Sequence, residues 1–212
     1  MYVEKQSWGE THYEVVPGSH VSFKTARQRV DLITNPRFGR MLFLDSVLQS
    51  ASVDEHIYHE ALVQFGLTPD SETILIAGGA EGGVVREVIK GQSVKKIVMI
   101  DWDSELVEHL CKKECMNSEV FLDSRLELLH EDILDYLSTN NTPFDTVFLD
   151  LLDIHTEEEY QFTMAILEKL VGATVILNVG SSRSMAERFK GDICQIFIPS
   201  FQEPWYLVKL QV

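Results

Sequence analysis

Acidic side chains stand directly after several short apolar segments of this chain. Carboxylates follow the second, third and fourth of these segments: Asp101, Asp103, Asp132, Asp150 and Asp153. The first segment is followed instead by a glycine-rich stretch, residues 78–83, with Glu81 inside it. In an open parallel sheet, ligands bind at the carboxyl ends of the strands. If the segments are such strands, these carboxylates share one edge, where they could attract a cation or act as a general base.

The glycine-rich stretch and Asp101 together predict a nucleoside site. Gly78, Gly79 and Gly82 have no Cβ, so a ligand could approach the backbone closely there. Asp101 lies a little over twenty residues after Gly78, the separation at which an acid typically accepts hydrogen bonds from ribose hydroxyls. Enzymes that use nicotinamide dinucleotides and enzymes that use S-adenosylmethionine both fit this combination, so it does not choose between them.

The elements that would position these residues alternate between strand and helix. The predicted strands cover residues 73–77, 96–100, 126–129, 146–149 and 174–177, with 194–198 and 205–210 closing the chain. The predicted helices cover residues 54–65, 83–90, 132–137 and 157–170, and another carries the apolar stripe Leu106, Val107, Leu110 and Cys111. Such repetition predicts an α/β fold with a Rossmann-like parallel sheet and helices on both faces.

The first part of the chain has a different pattern. Short alternating or β-branched segments at residues 12–16, 20–23, 29–34 and 40–44 are separated by turn signals at 17–18 and 35–36. This spacing predicts a small antiparallel β domain. We therefore divide the chain into an N-terminal β-hairpin domain, residues 1–52, and a Rossmann-like domain, residues 53–212.

Charge and composition restrict the classes of partner. The net charge is -15, from 33 acidic and 18 basic side chains, which disfavours nucleic acid because its phosphates need a basic surface. An acidic cleft would concentrate a cationic substrate, although acidity can also serve solubility alone.

Other features of the sequence bear on the compartment and on metal binding. No apolar run approaches the length needed to span a bilayer, and residues 1–10 lack a signal-peptide pattern, so we expect no membrane association and a cytoplasmic protein. The three cysteines, Cys111, Cys115 and Cys194, do not suggest a disulfide framework, and we expect no metal site.

Five motifs, in order along the chain, resemble those of the spermidine/spermine synthase (polyamine aminopropyltransferase) family. They are FGRMLFLDSVLQ at 38–49, DEHIYHE at 54–60, GGAEGGVVRE at 78–87, DLLD at 150–153 and IPSF at 198–201. The third resembles the glycine-rich signature of the family. The resemblance implies a methyltransferase-type Rossmann-like sheet, no cofactor, and a homodimer.

The resemblance also implies the role of each residue. Decarboxylated S-adenosylmethionine, the co-substrate, would be bound by Gln28, Gly78, Gly79, Glu81, Gly82, Asp101 and Asp132. Of these, Gln28 and Asp101 would bind the ribose, Asp132 the adenine amino group, and Glu81 the aminopropyl end. A diamine such as putrescine would be held by Gln49, Tyr58, His59, Asp153, Phe201 and Trp8. Asp150 would be the general base in a reaction that gives spermidine and 5′-methylthioadenosine.

Several positions depart from the family pattern, and two other functions stay open. Glu81 replaces an aspartate, Asp101 replaces a glutamate, and Leu151 and Leu152 stand where small polar residues are common. The loop after Asp153 is shorter than in the family. A methyltransferase that uses ordinary S-adenosylmethionine shares the fold and the donor site, and a catalytically silent relative that binds a nucleoside would fit the short loop.

Overall fold

The computed structural model describes residues 1–6, 9–112 and 117–212. The predicted substrate residue Trp8 and Cys115 lie outside the described residues.

The first part of the chain folds into antiparallel strands, as predicted. These are β1 (Tyr2–Gln6), β2 (Gly9–Tyr13), β3 (Val21–Lys24), β4 (Arg29–Asn35), β5 (Gly39–Leu44) and β6 (Val47–Ala51). β1 and β2 form a hairpin, and the other four strands form one sheet in the order β3-β4-β5-β6. The predicted strand at 12–16 is wrong in its bounds, because β2 ends at Tyr13.

The prediction missed β6, and the turn before it explains why. Asp45 and Ser46 form the two-residue connection between β5 and β6, and both have positive φ values, 47° and 71°. A turn with two positive φ values suits the twist of a hairpin, but its usual sequence signal is Asn-Gly or Asp-Gly. Asp45-Ser46 lacks the glycine, so the sequence does not announce the turn.

The rest of the chain alternates between helices and strands of one seven-stranded sheet. The strands are β7 (Thr73–Gly78), β8 (Lys96–Ile100), β9 (Leu126–Leu129), β10 (Thr146–Asp150), β11 (Thr174–Gly180), β12 (Asp192–Phe197) and β13 (Pro204–Gln211). The helices are α1 (Glu55–Gly66), α2 (Gly83–Val88), α3 (Ser104–Leu110), α4 (Ile133–Thr139), α5 (Glu157–Leu167) and α6 (Arg183–Arg188), and a short 3₁₀ helix covers Ser118–Leu122.

The order of the strands creates a cleft between β7 and β10. The sheet runs β12-β13-β11-β10-β7-β8-β9, so the chain leaves β7 in one direction through β8 and β9, then returns to its other side at β10. β7 to β11 are parallel, and β13 is antiparallel to both β11 and β12. Asp150, the last residue of β10, pairs in register with Gly78, the last residue of β7. This reversal of strand order is where open α/β sheets bind ligands.

Alternating apolar residues of the strands bury both faces of the sheet. One face packs against α1 and α2, where Leu62 and Val84 meet Ile76 and Phe148. The other face packs against α4, α5 and α6, where Ile133, Ile166 and Ala186 meet alternate strand residues. The predicted α/β fold, with helices on both faces of a mostly parallel sheet after a small antiparallel part, is confirmed.

The two parts of the chain share an apolar contact. Val30, Leu32 and Leu42 of the antiparallel sheet pack against Leu106 and Leu110 of α3. The antiparallel sheet ends at Ala51 and α1 begins at Glu55. The division into domains at residues 52 and 53 stays a prediction.

None of the helices in the described ranges is long and apolar enough to cross a membrane.

A buried carboxylate fixes the start of α1, which carries Tyr58 and His59. Asp54 accepts a hydrogen bond from the Ser200 backbone N–H at 2.7 Å and another from the Ser200 hydroxyl at 2.9 Å. Both residues are buried. This contact joins α1 to the loop between β12 and β13, on which Phe201 lies.

Ser200→Ala should destabilise the fold by about 1–2 kcal/mol, because it leaves one oxygen of buried Asp54 without its hydroxyl partner. Urea unfolding followed by circular dichroism measures the change. Ser104→Ala, on the exposed start of α3, is the matched control and should leave the free energy of unfolding within about 0.5 kcal/mol of the parent. Equal stabilities of the two variants would contradict this role of Ser200.

Candidate active site

A cavity of about 740 Å³ lies at the carboxyl ends of the strands that flank the reversal point. Its walls include twelve of the residues predicted from the sequence: Gln28, Gln49, Tyr58, His59, Gly78, Gly79, Glu81, Asp101, Asp132, Asp150, Asp153 and Phe201. The structure therefore brings the predicted donor and acceptor residues to one cavity. Gly82 does not line this cavity.

Gly78, Gly79 and Gly82 have different surroundings, which give each glycine a different structural role. A Cβ on Gly78 would lie 2.0 Å from the backbone oxygen of Asp150, so only glycine allows β7 and β10 to end this close together. A Cβ on Gly79 would lie 3.6 Å from the Asp150 carboxylate. A Cβ on Gly82 would instead lie about 3 Å from Val120 and Phe121. The predicted contact between Gly82 and the donor stays a prediction, because the structure relates Gly82 to packing against the 3₁₀ helix.

Asp150 is a half-buried carboxylate with one hydrogen-bond donor already in place. The Tyr58 hydroxyl donates to Asp150 Oδ1 at 2.5 Å. Burial raises the pKa of Asp150 to about 6, although the positive charge of His59 and the Tyr58 hydrogen bond favour the ionised form. The carboxylates of Glu81 and Asp153 also raise this pKa. Asp150 is therefore mostly ionised at neutral pH, and its proton affinity is higher than that of an ordinary aspartate.

Tyr58 is a neutral donor at physiological pH. Burial and the nearby charge of Asp150 hold the pKa of the Tyr58 phenol well above its ordinary value. Its hydroxyl proton therefore stays in place, directed at Asp150.

His59 lies beneath the glycine-rich stretch with both ring nitrogens near carboxylates. Nδ1 is 2.5 Å from Glu55 Oε2, and Nε2 is 3.3 Å from Glu81 Oε1. Burial disfavours the charged ring, but the hydrogen bonds to Glu55 and Glu81 outweigh it and raise the pKa of His59 to about 10. His59 is therefore an imidazolium at neutral pH.

Glu55 was not among the predicted site residues. It lines the cavity, and its carboxylate binds His59 on one side and the Arg86 guanidinium on the other. Burial would raise its pKa, but the bonds from His59 and Arg86 lower the pKa of Glu55 to about 2. The spacing of Glu55 and His59, one helical turn apart, was an available signal.

A chain of hydrogen bonds connects the predicted ribose-binding residues. Gln28 Nε2 and the Thr25 hydroxyl each donate to Asp103 Oδ2 at 2.8 Å. The Asp103 backbone N–H donates to Asp101 Oδ1 at 2.9 Å. Burial raises the pKa of Asp101 to about 6, although this backbone bond favours the ionised form. Asp103 thus places Gln28, from the antiparallel part, beside Asp101 at the end of β8.

Asp132 caps α4 and lines the cavity at the same time. Its Oδ1 accepts hydrogen bonds from the backbone N–H groups of Leu134 at 2.7 Å and Asp135 at 3.4 Å. Both capping bonds use one oxygen, so the capping role is compatible with a ligand on Oδ2.

Asp153 belongs to a second hydrogen-bonded group in the cavity. Asn178 Nδ2 donates to Asp153 Oδ1 at 3.1 Å, and Trp205 Nε1 donates to Asn178 Oδ1 at 2.8 Å. Burial raises the pKa of Asp153. The Phe201 ring lies 4.7 Å from the Trp205 ring and makes an aromatic wall beside this group. Asn178 and Trp205 were not among the predicted site residues, because β11 and β13 bring them together from distant positions in the chain.

Two other residues stand at exposed parts of the wall. Gln49 donates through Nε2 to its neighbour Val47 at 3.4 Å in a solvent-exposed position. Trp102 is 54% exposed beside Asp101, with the Arg27 guanidinium 4.5 Å from its ring centroid. Trp102 was also missed, since a lone tryptophan after a strand has no distinctive pattern.

Comparison with known proteins gives a consistent family. Residues 55–203 match the model of the spermine/spermidine synthase domain. A polyamine aminopropyltransferase of Saccharolobus islandicus is 35% identical over 212 residues, which cover 97% of this chain and 66% of that protein. A polyamine aminopropyltransferase of Pseudomonas syringae is 37% identical over 134 residues, 61% of this chain and 46% of that protein. The chain thus spans just under two thirds of the length of the first of these relatives.

Solved structures share the fold. The crystal structure of spermidine synthase from Thermotoga maritima has a TM-score of 0.81 at 24% identity, and the match covers 99% of this chain and 78% of that one. A spermidine synthase in complex with the transition state analogue AdoDATO has a TM-score of 0.84 at 24% identity, covering 99% of this chain and 79% of that one.

Tyr58→Phe should raise the pKa of Asp150 from about 6 by about 1, because the lost hydrogen bond favours the ionised carboxylate. A carboxyl-detected NMR titration of protein labelled with ¹³C aspartate measures this pKa. Tyr160→Phe, on α5, is the control and should leave the pKa of Asp150 unchanged. A pKa that stays at about 6 in Tyr58→Phe would contradict the contact.

Proposed function

The chain belongs to the spermine/spermidine synthase domain family, and on this premise we propose that it is a polyamine aminopropyltransferase. It transfers the aminopropyl group of decarboxylated S-adenosylmethionine to a diamine such as putrescine, and releases spermidine and 5′-methylthioadenosine. The observation that carries the proposal is the position of Asp150. It is a half-buried carboxylate at the strand reversal, in one cavity with Glu81 and with the wall formed by Gln28 and Asp101.

The donor occupies the side of the cavity next to β7 and β8. Asp101 and Gln28 bind the ribose hydroxyls, and Asp132 Oδ2 accepts a hydrogen bond from the adenine amino group. Glu81 receives the ammonium at the aminopropyl end. Ordinary S-adenosylmethionine carries an additional carboxylate at that end, which Glu81 would repel. The charge of Glu81 therefore favours the decarboxylated donor over the substrate of a methyltransferase.

The diamine occupies the side next to β10 and β11. Asp153, held by Asn178, binds one of its cationic ends, and Phe201 lies along its apolar carbons. Tyr58 and Gln49 complete the wall, and the Tyr58 hydroxyl fixes the direction of the Asp150 carboxylate. The imidazolium of His59 repels a cationic amine, so His59 acts behind the diamine, through Glu81 and Asp150, and not as a direct ligand of its ammonium.

The chemical obstacle is the protonation of the amine that attacks. An alkylamine with a pKa of about 10.4 is protonated in all but about one molecule in 2,500 at pH 7, which costs roughly 4–5 kcal/mol. Asp150 accepts the proton as the nitrogen lone pair attacks the methylene carbon bound to the sulfonium. The carbon–sulfur bond breaks and sulfur keeps its electron pair. The cavity holds the two substrates together, which lowers the entropic part of the barrier.

An acceptor screen tests the function. The purified chain is incubated with decarboxylated S-adenosylmethionine and a series of diamines, and release of methylthioadenosine is measured. We expect release that depends on the amine. Methyl transfer from ordinary S-adenosylmethionine without methylthioadenosine release would contradict the proposal. Binding of methylthioadenosine by calorimetry without any turnover would contradict catalysis and indicate a silent nucleoside-binding relative.

Asp150→Asn should lower kcat by about 10²–10⁴-fold, because the amide cannot accept the proton of the attacking amine. Methylthioadenosine should still bind, since the ribose wall is intact, and calorimetry measures this separately. Asp70→Asn, in the exposed turn before β7, is the matched control and should keep the parent kcat. Unchanged turnover in Asp150→Asn would contradict the role of general base.

We further propose a cytoplasmic homodimer. Cys194 is a free thiol, as is common in a reducing compartment. Val16, Val21 and Val53 are more than a third exposed on or beside the antiparallel sheet, and a second copy would bury them.

Light scattering of the purified chain should give about twice the mass of 24.2 kDa. Val21→Lys should shift the mass towards that of a monomer at low micromolar concentration, because it places a charge in the buried contact. A monomeric mass for the parent chain would contradict the homodimer.

A further inference from the structure

A chain of bonded side chains beneath the glycine-rich stretch affects the carboxylates of both Glu81 and Asp150. It runs from Arg86 on α2, through Glu55 and His59 on α1, to Glu81. Arg86 donates to both oxygens of Glu55, and the NH2 contact is 3.1 Å. Glu55 and His59 are each at most 9% exposed. Little solvent therefore reaches the bond between Glu55 and His59, and each member of the chain fixes the next.

The protonation state of His59 follows from this geometry. A neutral imidazole has one N–H and one bare nitrogen, so it can donate to only one carboxylate. His59 faces Glu55 with Nδ1 and Glu81 with Nε2. Only the imidazolium donates to both, and the raised pKa of His59 is consistent with this form.

The ring also has little room to turn away. A Cβ on Gly83 would lie 2.3 Å from His59 Cε1 and 2.5 Å from each ring nitrogen. The ring therefore packs directly against the backbone of Gly83, at the start of α2. This contact keeps Nε2 aimed at Glu81.

The charges around the ring and around Asp150 come from several elements. His59 faces Glu55 and Tyr58 from α1, Glu81 from the glycine-rich stretch and Asp150 from β10. Asp150 in turn faces His59, Tyr58, Glu81 and Asp153. Among the described residues that line the cavity, His59 is the one positive side chain. Its charge favours the ionised form of Asp150.

We propose that Glu55, anchored by Arg86, is a positioning residue that holds His59 as a fixed imidazolium. Through that ring, Glu55 orients the Glu81 carboxylate towards the amino end of the donor and keeps Asp150 ionised. The inference rests on the proposed aminopropyl transfer for the roles of Glu81 and Asp150. The state of His59 itself does not depend on it.

The first experiment needs neither a variant nor turnover. Long-range ¹H–¹⁵N NMR of the parent chain reports the protonation of each histidine ring, and His59→Gln assigns the signal. At pH 8 we expect both nitrogens of His59 to be protonated. A neutral His59 ring at pH 8 would overturn the proposal, whatever the chain catalyses.

The second experiment uses Glu55→Gln, which keeps the size of the side chain and removes its charge. At pH 8 the ring should lose a proton. The acidic limb of kcat/KM should move up by about one pH unit, because Asp150 loses a nearby cation, and KM for the donor should rise about tenfold. The affinity for methylthioadenosine, which lacks the aminopropyl group, should stay within about twofold of the parent value.

Controls separate positioning from general damage. Glu108→Gln, on the exposed face of α3, should leave all of these quantities unchanged. Glu55→Asp keeps the charge and should partly restore the imidazolium signal and the position of the acidic limb. An unmoved acidic limb in Glu55→Gln, or weaker methylthioadenosine binding by the same factor as the donor, would overturn the proposal.

The two proposals fail in distinguishable ways. If the parent chain transfers no aminopropyl group, the pKa of Asp150 is read by carboxyl NMR instead of kinetics. Glu55→Gln should then still raise that pKa, and an unchanged value would overturn the inference. Absence of transfer alone would overturn only the proposed function.

Discussion

The cavity depends on the burial of several carboxylates close to one another, where each raises the free energy of its neighbours in the ionised state. Asp101, Asp150 and Asp153 all have raised pKa values, and burial is the largest cause in each case. An aspartate whose pKa is raised on folding contributes stability below its ordinary pKa of 3.8, and loses that contribution as the pH rises through about 6. At neutral pH these ionised carboxylates repel one another, and a cation in the cavity would relieve that repulsion.

The ion pair of Glu55 and His59 offsets part of this repulsion. Its contribution to stability is lost only at the two extremes of pH, at low pH for Glu55 and at high pH for His59. The folded pKa of Glu55, about 2, lies below its ordinary value of 4.5, so its contribution is present above that value and is lost as the pH falls through about 2. The folded pKa of His59, about 10, lies above 6.5, so its contribution is complete below 6.5 and is lost as the pH rises through about 10. Across the physiological range this pair remains charged and stabilises the floor of the cavity.

Local sequence patterns predicted those helices and strands whose own residues carry a clear apolar pattern. β8 and β9 have the predicted bounds, since each is a short and mostly apolar segment. β6 was missed because its turn has no glycine, and α6 because six residues are too few to establish a helical period. In the site, the residues at strand ends were predicted correctly to lie together, because the carboxyl ends of parallel strands meet at one edge of the sheet. Asn178 and Trp205 were missed because their contact depends on β13 running antiparallel beside β11, a pairing that no spacing in the sequence reveals.

Asp103 joins residues from both parts of the chain in the wall that we propose binds the nucleoside. One oxygen of this residue holds Thr25 and Gln28 from the antiparallel part, while its backbone N–H holds Asp101 at the end of β8. The wall therefore lies at the interface between the two sheets and is not formed by either sheet alone. A nucleoside bound there would contact both parts of the chain. Its release would therefore be linked to any weakening of the contacts between them. The affinity for the nucleoside would then change with mutations in the apolar contact between the antiparallel sheet and α3, far from any atom that touches the ligand.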